Sequence, residues 1–414
     1  MSVPVPPVRP LRIIFLVVLM DLVGFGLVLP IMPLYASVLG GGPLYIGLLL
    51  SVYSLMTFLM APVWGRLSDR IGRRPVILFS LSGSVAAYTV YGLAEHLSAE
   101  PRVVLGVLFA SRLLAGVMAA NIATAQAYVA DVTTPRQRAG GMGVVGSAIG
   151  LGFVLGPALG AAFTTATFRE HVGLGAPGFA AAAVCAGNLA WAWARLPESH
   201  PPGARSRGRP AEATPMRAAL AGQTALLVLL LAFLLTHLAF SQFEATFALL
   251  AHAQWSISPA ALGLIFSYLG VIVVIMQGGL TRVLVKRLGE RLTLIAGAAT
   301  MGLGMAGVAL GPGPVPVLVA LGVMAAGFGA VQPSLLALVS LLTPTHRQGL
   351  VLGFGQSMGS LARILGPTLG LALYGGLTQR APYWAAAGCL GVVTLLGAWL
   401  ARGTLPTVQE VEES

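Results

Sequence analysis

Short charged or Pro/Gly-rich breaks cut this chain into twelve apolar runs, near 11–35, 44–65, 76–94, 103–127, 139–164 and 178–196, then 221–250, 259–283, 291–311, 315–342, 348–375 and 382–401. A helix rises about 1.5 Å per residue and a bilayer core is about 30 Å thick, so each run is long enough to span a membrane or nearly so. Of 414 residues, 57 % are hydrophobic and 9 % charged, where a soluble domain carries about 25 % charge. That balance excludes fibrous, disordered and disulfide-rich secreted classes and predicts an all-α membrane protein. The 53 glycines and 27 prolines agree, because both are commoner in transmembrane helices than in soluble ones.

The formal charge of +11 does not point to nucleic acid, since the basic residues sit in short loops between apolar runs rather than on one exposed face. With the N-terminus placed inside, nineteen basic residues fall on the inner side and three, Arg102, Arg169 and Arg380, on the outer. This positive-inside bias predicts cytoplasmic termini and a multi-pass protein of the cell inner membrane. The opening MSVPVPPVRP is too short and proline-rich for a signal peptide, so the first run is expected to be retained. Cys185 and Cys389 both lie in apolar runs and are not read as a disulfide framework or a metal site.

The runs divide six and six about PESHPPGARSRGRPAEATPMR at 197–217, the long polar stretch of the interior. The expected organisation is an N-terminal six-helix bundle at 1–196, a cytoplasmic linker at 197–217, a C-terminal bundle at 218–402 and a tail at 403–414. The halves echo each other. TPRQRAGGMG, from Thr134, leads to GPALG at Gly156–Gly160, and TPTHRQGLVLG, from Thr343, leads to GPTLG at Gly366–Gly370. RIGRR at 70–74 is matched by RLGER at 287–291. Paired segments in corresponding places are what an internal repeat produces, and two similar bundles imply a cleft between them.

The loop after the second span reads GRLSDRIGRRPV, from Gly65. On charge alone it is a basic loop that sets orientation. Its spacing, however, resembles the signature loop of the major facilitator superfamily at Gly65, Leu67, Asp69, Arg70, Gly72, Arg73 and Arg74. Arg112 with Gly116 resembles the family's RxxxG pattern, and Gly152, Gly156, Pro157 and Gly160 its antiporter glycine motif. DLVGFGLVLPIMP (21–33), AYVADVT (127–133) and LPESH (196–200) are similar to the drug:proton antiporter branch, and within it to tetracycline-efflux-like proteins. The chain departs from the tetracycline exporters at Val273, where a histidine typically stands four residues before Gln277, and in span 11, where SLARILGP places Arg363 in the membrane. The resemblance implies two pseudo-symmetric six-helix bundles, alternating access and a conformational switch built on the signature loop with Asp131.

Charges inside a bilayer need partners or water, which makes each a candidate for function. Asp21 lies nine residues beyond Arg12, about 14 Å into the membrane. It reads as a proton-titrating group or as a helix-bracing acceptor. Arg112 matches the family arginine proposed for proton coupling; a permanent structural ion pair is the other reading. Arg363, about 22 Å along its span from Gln348, binds an anionic substrate or neutralises a carboxylate. His237, Ser241 and Glu244 share one helix face by their spacing. Glu244 is a further carboxylate for coupling, and Gln126, His237, Gln242, Gln277, Gln332 and Arg363 are substrate-binding candidates.

Gly141, Gly143 and Gly146 match a dinucleotide fingerprint, but they open an apolar helix and lack the preceding strand. Lys286 is not preceded by a phosphate-binding glycine loop, so no cofactor is expected. The reading is a secondary transporter expelling an amphipathic small molecule against protons, its partners being substrate, protons and lipid, working as a monomer. The alternatives are a proton-coupled metabolite importer or exporter of the same fold, a polytopic membrane enzyme, and a non-transporting receptor or scaffold.

Overall fold

The structure is a computed structural model and describes residues 8–119, 121–133, 135–199, 224–343 and 348–402. Most of the expected linker and all of the expected tail therefore lie outside the described residues. Among the described residues the chain is helical with no strand, and eight helical stretches are long and apolar enough to cross a bilayer. One of these, Pro259–Leu310, holds more than one of the expected spans. The helices follow the order and places of the twelve apolar runs.

Two compact units emerge, Met1–Arg205 with Ser256–Gly270, and Ser206–Trp255 with Val271–Ser414. The first contains α1 (Val8–Val28), α2 (Met32–Val38), α3 (Pro43–Ile71), α4 (Arg73–Leu97), α5 (Pro101–Met118), α6 (Asn121–Val132), α7 (Pro135–Ala162), α8 (Ala166–Val172) and α9 (Ala176–Arg195). In the second lie α10 (Thr224–Trp255), the end of α11 (Pro259–Ile275), a π turn (Met276–Leu280), α12 (Thr281–Leu310), α13 (Pro314–Leu341), α14 (Gln348–Gly376) and α15 (Ala381–Arg402). Order along the chain would put Ser256–Gly270 with the second half, whereas it packs with the first unit.

Local sequence sets the helix limits. Pro43, Pro101 and Pro314 occupy first turns, where a missing amide hydrogen costs nothing. Gly72, with φ +102°, ends α3 and starts α4 without an intervening loop. Gly289, with φ +81° and ψ 165°, breaks α12 in the same manner. These are the glycines of RIGRR and RLGER, so the repeat seen in sequence reappears as one backbone conformation that side chains with a Cβ rarely adopt.

The repeat extends to packing. In the first unit α7 lies on α1, and a Cβ at Gly156 would meet the Gly26 Cα at 2.6 Å, one at Gly160 the Leu27 carbonyl oxygen at 2.7 Å. In the second, α14 lies on α10, and Cβ atoms at Gly366 and Gly370 would meet Ser241 Cβ at 2.6 Å and Gln242 Cα at 3.1 Å. GPALG and GPTLG therefore do the same work, bringing helix backbones together where lipid gives no hydrophobic drive for association. Each unit has its own core, built on Ile14, Val18, Leu81 and Tyr128 in the first and on Leu229, Phe233, Leu294 and Leu335 in the second. Exposed Leu303, Leu395 and Trp399 supply an apolar outer surface of the kind a membrane covers.

Candidate functional site

At the signature loop, Arg73 begins α4 and is 7 % exposed. Its Nε donates to Asp131 Oδ2 at 3.0 Å, and one terminal nitrogen meets Asp69 Oδ1 at 2.6 Å and Ser68 Oγ at 2.6 Å. The loop is thus joined to the end of α6, which carries Asp131. Asp69 is 63 % exposed against 22 % for Asp131, so Asp131 is the partner better shielded from water. Gly65 has open space around it and Arg70 is exposed. Arg74 donates through its side chain to the Trp193 carbonyl at 2.7 Å.

Sequence reasoning missed Glu198. Its Oε1 and Oε2 accept from the backbone amides of Arg73 and Arg74 at 2.9 and 3.0 Å, where the first turn of a helix offers unpaired donors and a partial positive charge. Ser199 Oγ donates to Asp131 Oδ2 at 3.2 Å. The segment after α9 is thereby fastened to the loop it follows by more than a hundred residues. LPESH was legible as a resemblance; its partner was not.

Deep in the same unit, Arg112 of α5 is 1 % exposed. Its guanidinium carbon lies 5.3, 5.7 and 6.0 Å from the ring centres of Tyr88, Tyr53 and Tyr91. Aromatic faces attract a cation, the more so when it is dry. Arg112 Nε and one terminal nitrogen, with the Tyr35 and Tyr91 hydroxyls, make no hydrogen bond among the described residues. Asp21 of α1 is half-buried and acts electrostatically on Tyr88 and Cys185. Arg112 acts on Tyr88 as well. Tyr88 therefore lies within the electrostatic reach of both intramembrane charges, which spacing alone could not reveal. Gly152, Gly156, Pro157 and Gly160 are buried, and the three glycines pack against Leu22, Gly26 and Leu27, just beyond Asp21 on α1. Gln126 is half-buried on α6.

The second unit gathers another group. His237 Nδ1 donates to the Phe233 carbonyl at 2.8 Å and Gln332 Nε2 donates to His237 Nε2 at 2.5 Å, an arrangement assigned from the network that makes the ring neutral. His237 stacks on Phe233 with centres 4.4 Å apart and meets Phe328 edge-on at 6.4 Å. Arg363 is exposed, donates to Ser360 Oγ at 3.3 Å, and lies within electrostatic reach of both His237 and Glu244. Of the expected residues, His237, Gln332, Glu244 and Arg363 thus come together on α10, α13 and α14. Gln242 is buried against Gly370 instead, and Gln277 is exposed in the π turn.

A family model described as Major Facilitator Superfamily matches residues 14–361 and 253–413. The chain is 31 % identical to tetracycline resistance protein, class C, of Escherichia coli, over 92 % of this chain and 95 % of that protein. It is 30 % identical to major facilitator superfamily domain-containing protein 10 of Bos taurus, over 92 % and 91 %. The crystal structure of the human organic anion transporter MFSD10 (TETRAN) aligns with a TM-score of 0.69 at 26 % identity, covering 95 % of this chain and all of that one. The nucleoside transporter NupG aligns at 0.76 with 14 % identity over 95 % and 100 %, a likeness of fold alone. With its repeated glycine-packed helices, its signature loop and these relatives, the chain belongs to the Major Facilitator Superfamily and is a multi-pass membrane transporter of small molecules, not an enzyme.

Proposed function

We propose that this transporter is a proton-coupled efflux antiporter that moves amphipathic small molecules, drugs among them, by alternating access. The observation that carries the reading is the Arg112 site, a guanidinium buried among three tyrosines, the nearest of which, Tyr88, also lies within the electrostatic reach of Asp21. A carboxylate and a cation held deep in a span have interaction energies that depend strongly on local water. A transporter that opens to water on one side at a time changes that environment in each cycle, which couples protonation to conformation. Asp21 and Arg112 are the coupling residues of this reading, with Glu244 the second carboxylate. The Asp69, Arg73 and Asp131 cluster, with Gly65, Arg70, Gly72 and Arg74, serves as the conformational switch.

The protein works as a monomer in the cell inner membrane with both termini cytoplasmic. Gln126 orients polar groups of the substrate. Sequence similarity to tetracycline resistance proteins and to the organic anion transporter MFSD10 supports a small organic molecule as the substrate. The test is accumulation of varied labelled compounds in inverted vesicles, with and without a proton gradient. Uptake that a protonophore collapses is the expected result; gradient-independent movement removes the coupling. In a cysteine-free background, Ser206→Cys and Gly42→Cys label from opposite sides of the membrane. Labelling of both from outside overturns the orientation.

A further inference from the structure

Arg363 sits at the middle of α14, fifteen residues from Gln348 and thirteen from Gly376, about 20 Å from either end. A charge there is costly unless a cavity or partners receive it. Its exposed surface does not lie on the side of α14 where the exposed leucines stand. Leu365 and Leu369 mark the apolar exposed side of α14, and at about 100° per residue they stand about 160° and 120° around the helix from Arg363. Gly359, Gly366 and Gly370 pack against α10 and lie within about 60° of it by the same geometry. Arg363 therefore stands at the edge of the α10 contact, with His237 and Glu244 both within its field.

Gly359, one turn before Arg363 on α14, faces the His237 ring, where an added Cβ would meet Cδ2 at 3.5 Å, and aromatic surface continues from that ring. Phe240 and Phe328 stack with centres 4.3 Å apart and planes 13° off parallel, and both are half-buried. Phe328 also meets the His237 ring, so His237 links the ring pair to the stretch of α14 that carries Arg363. Gln332 uses its amide on His237, which holds the imidazole neutral and leaves Arg363 as the local cation. A planar fork of donors on α14, at the edge of the same contact with α10 that carries a half-buried aromatic pair, matches a ligand with an anionic head and a flat apolar body.

We propose that the second unit carries an organic-anion subsite in which the Arg363 guanidinium receives a substrate carboxylate or sulfonate while the substrate's aromatic body lies on the Phe240–Phe328 pair. Glu244 is the resident carboxylate of that neighbourhood and competes with the ligand for the guanidinium. The inference rests on the efflux reading for the direction in which the anion moves, and for nothing else.

The test is equilibrium binding of labelled 1-naphthylacetate and its uncharged amide, 1-naphthylacetamide, to the purified full chain. The anion should bind more tightly. Arg363→Gln should weaken it about ten- to a hundredfold, the loss of a hydrogen bond to a charged group, and leave the amide unmoved. Arg363→Lys, which keeps the charge without the fork, should fall between. Glu244→Gln should tighten the anion alone, and this arm decides the matter where the Arg363→Gln chain fails to fold. Three results overturn the site: no saturable naphthylacetate binding by the wild-type chain, equal loss of both probes in Arg363→Gln, or no selective gain in Glu244→Gln. Proton dependence is read separately in vesicles. A chain that binds naphthylacetate through Arg363 without proton-driven transport keeps the site and loses the efflux reading. Coupled export of neutral compounds with Arg363-independent binding does the reverse.

Discussion

Glu198 Oε1 accepts a hydrogen bond from the Arg73 backbone amide at 2.9 Å, across 125 residues of chain, and its second oxygen takes the next amide along. A carboxylate at a helix N-terminus gains from both the unpaired donors and the dipole. Glu198→Ala should therefore lower stability by on the order of 2 kcal/mol, read as a fall in melting temperature of the purified protein. Glu198→Gln keeps one good acceptor and should lose less. An unchanged melt for the alanine variant would show that the contact contributes nothing.

Asp69 and Asp131 share Arg73 but not its burial. Asp69 reaches Arg73 across the glycine break between α3 and α4 and is itself 63 % exposed; a pair open to water on one side is worth about 1 kcal/mol or less, so Asp69→Asn should melt close to wild type. As part of the proposed switch it should nevertheless cut transport turnover well below its effect on substrate affinity. Asp131→Asn removes the partner better shielded from water and should lower both melting temperature and turnover. Wild-type turnover by Asp69→Asn would remove that residue from the switch.

Two motif glycines should behave in opposite ways. Gly156 approaches the backbone of Gly26, and a Cβ there has no flexible side chain to push aside. Gly156→Ala should cost about 1–3 kcal/mol by overpacking and displace the stretch of α1 that follows Asp21, so both melting temperature and transport should fall. Gly65, inside α3, has nothing within 4 Å of its added Cβ. Gly65→Ala should hold or slightly raise the melting temperature, as alanine in a helix interior does relative to glycine. A melt lowered as far by Gly65→Ala as by Gly156→Ala would contradict the packing account.

For Asp21, the informative substitution is asparagine, which keeps the shape and abolishes proton exchange. Asp21→Asn should eliminate accumulation of substrate against its gradient in inverted vesicles while downhill exchange persists. Uphill transport with an unaltered pH profile would make Asp21 a bracing residue and move attention to Glu244.

Fold class was readable early because a bilayer imposes length and polarity on every span, and twelve runs of that kind leave few architectures. The paired GPALG and GPTLG segments announced a repeat, since close helix packing needs small residues in a fixed place. Loop partners were harder. Arg73 and Asp131 stand far apart in sequence, and only a family resemblance suggested their loops should meet. Glu198 carried no periodic signal, because a cap is defined by the helix end it reaches. The tyrosines around Arg112 belong to apolar runs in which an aromatic residue is unremarkable. His237 and Gln332 were visible as polar residues in spans, yet their hydrogen bond depends on how α10 meets α13, which no single-helix pattern encodes.

The π turn at Met276–Leu280 has a consequence for how the length of this segment is constrained. A wide turn holds one residue more than an α turn, which rotates everything after it by about 100° relative to an unbroken helix. Both flanks are fixed on the same neighbour: Met276 packs on Gly329 of α13, where an added Cβ would meet its side chain at 2.6 Å, and Thr281 Oγ1 donates to the Gly329 carbonyl at 3.3 Å. Deleting Gly278 or Gly279 would restore ordinary helical winding but leave one flank facing the wrong way. Although neither glycine has a neighbour within 4 Å that a Cβ would strike, so that substitution there meets no steric objection, insertion or deletion does; residue number, more than residue identity, is what this stretch must conserve.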